Sequence, residues 1–152
     1  MDIADLLSVD RIVLGLRVRD KAHLLLELGR RAEALGASVP SGVITDALRH
    51  REQLGSTGLG GGFALPHASI EGLPRTFGML VRLAHPIAFD AIDGRPVDLA
   101  FLLLVPVAQT TGNVAALATV SRVFRGNDQV RKVRSAPDSG TAYGVLTEAP
   151  AP

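Results

Sequence analysis

At 152 residues, with 47% hydrophobic and 20% charged side chains, the chain fits one globular domain with a buried core and argues against intrinsic disorder. A formal net charge of +1, five Phe, one Tyr and no Trp argue against nucleic acid or an acidic membrane as partner. The absence of cysteine excludes disulfides, thiol nucleophiles and thiolate metal sites.

Met1 to Asp5 is acidic and lacks the basic start and apolar centre of a secretory signal. The longest apolar run, Leu99 to Ala108, is broken by Pro106 and too short to cross a bilayer, so a cytoplasmic protein is expected. Ile12 to Leu16 predicts a short strand. Asp20 then caps a helix reaching about Leu35, with Leu25, Leu28, Ala32 and Leu35 at helical spacing, and Gly36 ends it. Ser41 is the expected N-cap of a second helix, whose buried stripe is Val43, Ile44, Ala47 and Leu48 and which stops near Arg51.

Phe63 to Pro66 and Phe77 to Leu83 predict strands. Asp93-Gly94, between Pro86–Phe89 and Val97–Val105, predicts an antiparallel hairpin. Leu99 to Val105 is apolar on both faces, which predicts a central strand covered by helices above and below. Gln109 to Asn113 leads into a helix over Val114 to about Phe124, with Val114, Leu117, Val120 and Phe124 along one face. Short helices are expected over Asp128–Arg134 and Ala142–Thr147, then a flexible tail over 148–152. The result is one α/β (α+β) domain over residues 1–147, with a mixed, roughly five-stranded sheet flanked by helices on both faces.

The segment from Gly55 to His67 reads GSTGLGGGFALPH, and five of its first eight residues are glycine. Such a backbone passes close to a ligand and turns N–H groups toward an anion, and here it leads directly to an imidazole. Phosphoryl transfer through histidine requires that combination. The stretch is not a Walker loop, because Phe63 and Ala64 follow Gly62 where Lys and Ser or Thr are needed. It is not a dinucleotide fingerprint either, and the pattern G-x-S-x-G is absent. His23, His50, His67 and His85 show neither H-x-H nor H-E-x-x-H spacing, so no metal is expected. His23 and His50 are expected on helix surfaces and His85 at a strand end.

Arg51-Glu52, GSTGLGGGFALPH, Pro86 to Asp98 and Phe101 to Pro106 together resemble the IIA domain of the mannitol/fructose type of the bacterial sugar phosphotransferase system. The resemblance spans roughly residues 5 to 147. With no cysteine-bearing IIB segment and no membrane IIC segment in the sequence, it leans toward the nitrogen-regulatory branch of that family. It implies that His67 accepts a phosphoryl group from HPr or an HPr-like phosphocarrier, without a cofactor. The expected onward partners are regulatory target proteins, or a IIB domain if the chain serves sugar uptake.

A histidine attacks only through an unprotonated ring nitrogen, and its ordinary pKa near ~6.5 leaves neutral imidazole at pH 7. Its product carries close to two negative charges and three acceptor oxygens. The candidate donors are the N–H groups of Gly60, Gly61 and Gly62 and the hydroxyls of Ser56 and Thr57, with Arg51 matching the family's arginine. Asn113 stands where most relatives carry a second histidine, and Gly61 where the family often has asparagine. Asparagine donates a hydrogen bond but supplies neither charge nor proton. A degenerate member that regulates by docking alone is therefore an alternative. Phe63, Leu65 and Ile70 are candidates for a partner face, with burial the expected fate of Phe63 and Leu65.

Overall fold

The computed structural model describes residues 1–108 and 110–148. After two single-turn 3-10 helices, Ile3–Asp5 and Val9–Arg11, the elements run β1 (Ile12–Leu16), α1 (Lys21–Ala34), α2 (Ser41–Gln53), β2 (Gly58–Gly60), β3 (Phe63–Ala64) and β4 (His67–Ile70). They continue β5 (Phe77–Ile87), β6 (Val97–Pro106), α3 (Thr110–Val123), α4 (Asn127–Ser135) and α5 (Ser139–Thr147).

The core of the fold is β6, apolar and buried from Leu99 onward. β5 pairs antiparallel along one flank, from Phe77 opposite Leu104 to Ile87 opposite Val97. The other flank is shared by two short parallel strands in succession. β3 sets Phe63 opposite Leu99, and β4 sets His67 opposite Leu103. β1 extends the sheet beyond β5 and β2 extends it beyond β3, giving six strands.

Alternation along β6 sorts its side chains into two cores. Ala100, Leu102 and Leu104 pack under α1 and α2. Leu99, Phe101, Leu103 and Val105 pack under α3, α4 and α5. Both layers are needed because β6 has no polar face, and each fully buried leucine contributes roughly 1.5–3 kcal/mol before ordering costs. α1 and α2 approach closely at Gly29, where a Cβ would lie 2.3 Å from Thr45 Oγ1.

Asp20 caps α1 by accepting from the N–H of His23 at 2.8 Å, and Gly36 leaves the helix at φ 102. Several expectations are corrected. Pro40, not Ser41, occupies the cap of α2, and Val43 is 48% exposed. The strand expected over Phe63–Pro66 stops at Ala64 and a separate strand starts at His67, because Pro66 has no N–H for the ladder. Its carbonyl still accepts from Leu103 N at 3.0 Å. Gly58–Gly60, expected as loop, is a strand held by its hairpin partner β3. The pieces expected over Phe77–Leu83 and Pro86–Phe89 are one strand, whose pairing shifts register between Arg82 and Ile87. α3 begins before Val114, which is 69% exposed, whereas Val120 and Phe124 are buried as expected, with Ala116 and Thr119 beside them. Gln109 and the tail beyond Glu148 lie outside the described residues.

Candidate active site

His67 opens β4. Ala68 and Ile70 turn into the α1/α2 core, so alternation sends His67 and Ser69 to the opposite face, the one α3 covers. The ring is half-buried, and its Nδ1 lies 2.7 Å from the carbonyl oxygen of Leu65. A carbonyl only accepts, so Nδ1 carries the proton and donates it, leaving the Nε2 lone pair unprotonated. Burial pushes the His67 pKa below its ordinary value. The bond to Leu65 works in the opposite direction, the Arg51 charge lowers the pKa further and the Glu52 charge raises it. Burial dominates, and the neutral ring is the resting form at pH 7.

Arg51 and Glu52 come from the last turn of α2. Arg51 Nη1 donates to the carbonyl of Gly55 at 2.9 Å, which holds the guanidinium over the helix end. Glu52 is almost fully buried and organises the loop beyond. Its carboxylate accepts from Thr57 N at 3.0 and 3.2 Å and from the Thr57 hydroxyl, and Lys21 Nζ stands 3.7 Å away. Lys21 also donates to the carbonyl of Phe89 at 3.3 Å and lies 4.4 Å from the centre of its ring. The Thr57 carbonyl accepts from Leu65 N at 3.0 Å. A chain of bonds thus runs from Glu52 through Thr57 and Leu65 to the His67 ring. Sequence reasoning gave Glu52 no role; the available signal was a carboxylate at a helix end five residues before a threonine.

The other expected donors are engaged elsewhere. Ser56 Oγ donates to the carbonyl of Phe89 at 2.8 Å and accepts from Gly58 N at 3.0 Å. Thr57 is buried with its hydroxyl on Glu52. Gly60, Gly61 and Gly62, with φ of 97, 66 and 80, form the tip of the β2–β3 hairpin. Gly61 N donates to Asp93 Oδ2 at 2.9 Å, and the Gly62 carbonyl accepts from Asp98 N at 3.0 Å and Leu99 N at 3.2 Å. Phe63 and His67 face Leu99 and Leu103, four residues apart on β6, which is about 13 Å at the rise of a strand. The turn lies beyond Phe63. The expected glycine cradle is therefore not assembled at His67, whereas Arg51 lies near enough for its charge to act on the ring.

Asn113 lies in the first turn of α3, which follows the end of β6 on the His67 face, and its Oδ1 is buried with no hydrogen-bond partner among the described residues. Phe63, Leu65 and Ile70 are all buried, so none of them forms a partner face. The exposed apolar residues toward this end are Leu54 after α2, and Val107 and Val114 around the start of α3. His23 Nδ1 accepts from Arg19 N at 3.0 Å, while His50 and His85 are exposed on α2 and β5. Among the described residues there is no cluster of three His, Cys, Asp or Glu able to hold a metal, and no helix long and apolar enough to cross a membrane.

The family model described as phosphoenolpyruvate-dependent sugar phosphotransferase system, EIIA 2, matches residues 5–149. A nitrogen regulatory protein of Bradyrhizobium diazoefficiens is 38% identical over 151 residues, covering 99% of this chain and 98% of the relative. One from Escherichia coli is 40% identical over 124 residues, covering 81% and 76%. The crystal structure of nitrogen regulatory protein IIA-Ntr from Neisseria meningitidis superposes with a TM-score of 0.89 at 33% identity, covering 95% of this chain and 99% of that one.

Proposed function

Because the chain belongs to the EIIA 2 family of the phosphoenolpyruvate-dependent sugar phosphotransferase system, we propose that it is a phosphocarrier in which His67 accepts a phosphoryl group from an HPr-like donor and serves nitrogen regulation. The observation that carries this reading is the His67–Leu65 hydrogen bond, which commits Nδ1 as a donor and leaves Nε2 as the nucleophile.

In the transfer, the Nε2 lone pair forms the new N–P bond as the N–P bond of the donor's phosphohistidine breaks. The donor ring leaves with that electron pair as a neutral imidazole, its other nitrogen still protonated. His67 keeps its Nδ1 proton, so the product ring carries a positive charge against the phosphoryl dianion, steadied by the Leu65 carbonyl. Arg51 supplies a planar guanidinium for two phosphoryl oxygens, and the Asn113 amide donates to a third. Most of the catalytic effect is positioning and charge stabilisation. Leu54, Val107 and Val114 offer a rim of exposed apolar surface for the donor to cover.

The nitrogen-regulatory role is supported by relatives of that name matched over nearly their whole length. Asn113, which brings no charge, favours a second reading in which the protein acts by docking alone.

The test is incubation with a phosphorylated HPr-like donor, followed by mass spectrometry and phosphorus NMR. Acid-labile, alkali-stable phosphate on Nε2 of His67, lost in His67→Ala and slowed at least about tenfold in Arg51→Ala, is the expected result. No label on His67 overturns the carrier reading and leaves docking.

A further inference from the structure

We propose that the cleft between the Gly60–Gly61 turn and helices α3 and α4 binds a compact anion bearing two or more phosphate groups. The glycine turn does not serve His67, yet it is fixed from two sides and opens onto a cavity of about 730 Å³. That volume suits a small ligand. The cavity walls carry Arg125, Asn127, Arg131 and Arg134.

Charge is concentrated here. Between Arg122 and Arg134 lie five basic residues and one acidic residue, Asp128, in a chain whose net charge is +1. The three lining arginines differ in commitment. Arg134 is structural: its Nε and Nη2 donate to Asp98 Oδ1 at 3.1 and 3.0 Å, and Nη2 donates to the Gly61 carbonyl at 2.6 Å. Arg82 anchors the end of α4 behind it, donating to the carbonyls of Val133, Arg134 and Ala136.

Arg131 pairs with Asp128 where both side chains are mostly exposed (74% and 82%), so the pair adds little stability and yields readily to a better acceptor. Arg125 makes no side-chain hydrogen bond among the described residues. Two available guanidiniums, Arg125 on the α3–α4 turn and Arg131 on α4, match a ligand with at least two anionic groups, each gripped through a planar fork.

The floor is firm, with Phe63 and Phe124 stacked at 4.5 Å between centroids. The turn leaves the entrance open, since a Cβ at Gly61 would meet nothing within 4 Å. α3 joins this cleft to the His67 end, and its 14 residues span about 21 Å. The cleft is therefore separate from the phosphoryl-transfer centre, and its test does not depend on transfer.

The experiment is an amide NMR titration of the full chain with inorganic tripolyphosphate and, separately, with ATP, each at fixed ionic strength and against sulfate. Saturable shifts at Gly60, Gly61, Arg125 and Asn127, with a dissociation constant below about 1 mM, are expected. Arg125→Gln/Arg131→Gln should weaken binding at least about tenfold, while His67→Ala should not. Arg30→Gln/Arg31→Gln removes the same charge from exposed sites on α1 and should bind normally. Tighter ATP than tripolyphosphate binding would identify a nucleotide, and equal binding the phosphate chain alone. Shifts that do not saturate, that centre on His67, or that weaken equally in the α1 variant overturn the proposal.

Discussion

The carbonyl oxygen of Leu65 stands 2.7 Å from Nδ1 of His67, two residues further along the chain. This contact fixes which nitrogen holds the proton, while burial and Arg51 resist a second one. The folded state therefore binds a proton at His67 less readily than the unfolded chain, whose pKa is about 6.5. Below that pH the unfolded state takes up more protons, so the stability contributed by His67 is complete above about 6.5 and is lost as pH falls toward the folded value. Phosphoryl acceptance should stay level as pH drops through 6.5 and decline only at lower pH. An NMR titration of the His67 Cε1 proton alongside a pH–rate profile checks both; a midpoint at or above 6.5 would contradict them.

Glu52→Gln should reduce stability by about 2–3 kcal/mol, because a buried carboxylate that holds Thr57 twice and faces Lys21 loses its charge. The same change removes the neighbour that raises the His67 pKa, so that pKa should fall further. Urea unfolding measures the first effect and the His67 titration the second. A destabilised variant with an unmoved titration would confine Glu52 to a structural role.

Gly62→Ala should cost about 1–3 kcal/mol. The residue sits at φ 80, and a Cβ there would lie 2.6 Å from Arg134 Nη2 and 3.1 Å from Asp98 Oδ1. Repeating the substitution in an Arg134→Ala background separates the two causes. The part due to Arg134 should vanish while the backbone part and the looser Asp98 contact remain, giving a clear departure from additivity in chemical denaturation.

Asn113→His should speed phosphorylation of His67, since an imidazole in the first turn of α3 can carry a charge that the amide cannot. Rapid-quench measurement with the same donor decides it. An unchanged rate would mean that Arg51 alone provides the cationic stabilisation.

Local chemistry was legible in the residues themselves. Asp20 and Gly36 bracket α1 as their side-chain and backbone preferences require, and the two-sided apolarity of β6 announced helices on both faces. His67 and Arg51 drew attention through motifs that resemble a family, and the fold brings Arg51 near enough for its charge to lower the His67 pKa. What the chain order concealed was separation. Gly60 to Gly62 and His67 are close in sequence, but consecutive parallel pairing along β6 draws them apart. Composition revealed that the turn needs glycine and could not reveal which neighbours it serves. Glu52 was hidden for a related reason: its importance lies in Thr57 and Lys21, contacts that only the packed loop creates.

Because β3 and β4 occupy successive places on one flank of β6, the spacing between the hairpin tip and the nucleophile is ruled by a neighbouring strand. Adding a single residue to β6 between Leu99 and Leu103 would invert every side chain after it and oblige β4 to follow or detach. Length changes can accumulate at the Asp93-Gly94 bend without moving the imidazole, but within β6 they cannot. That strand acts as the ruler against which the reactive ring is measured.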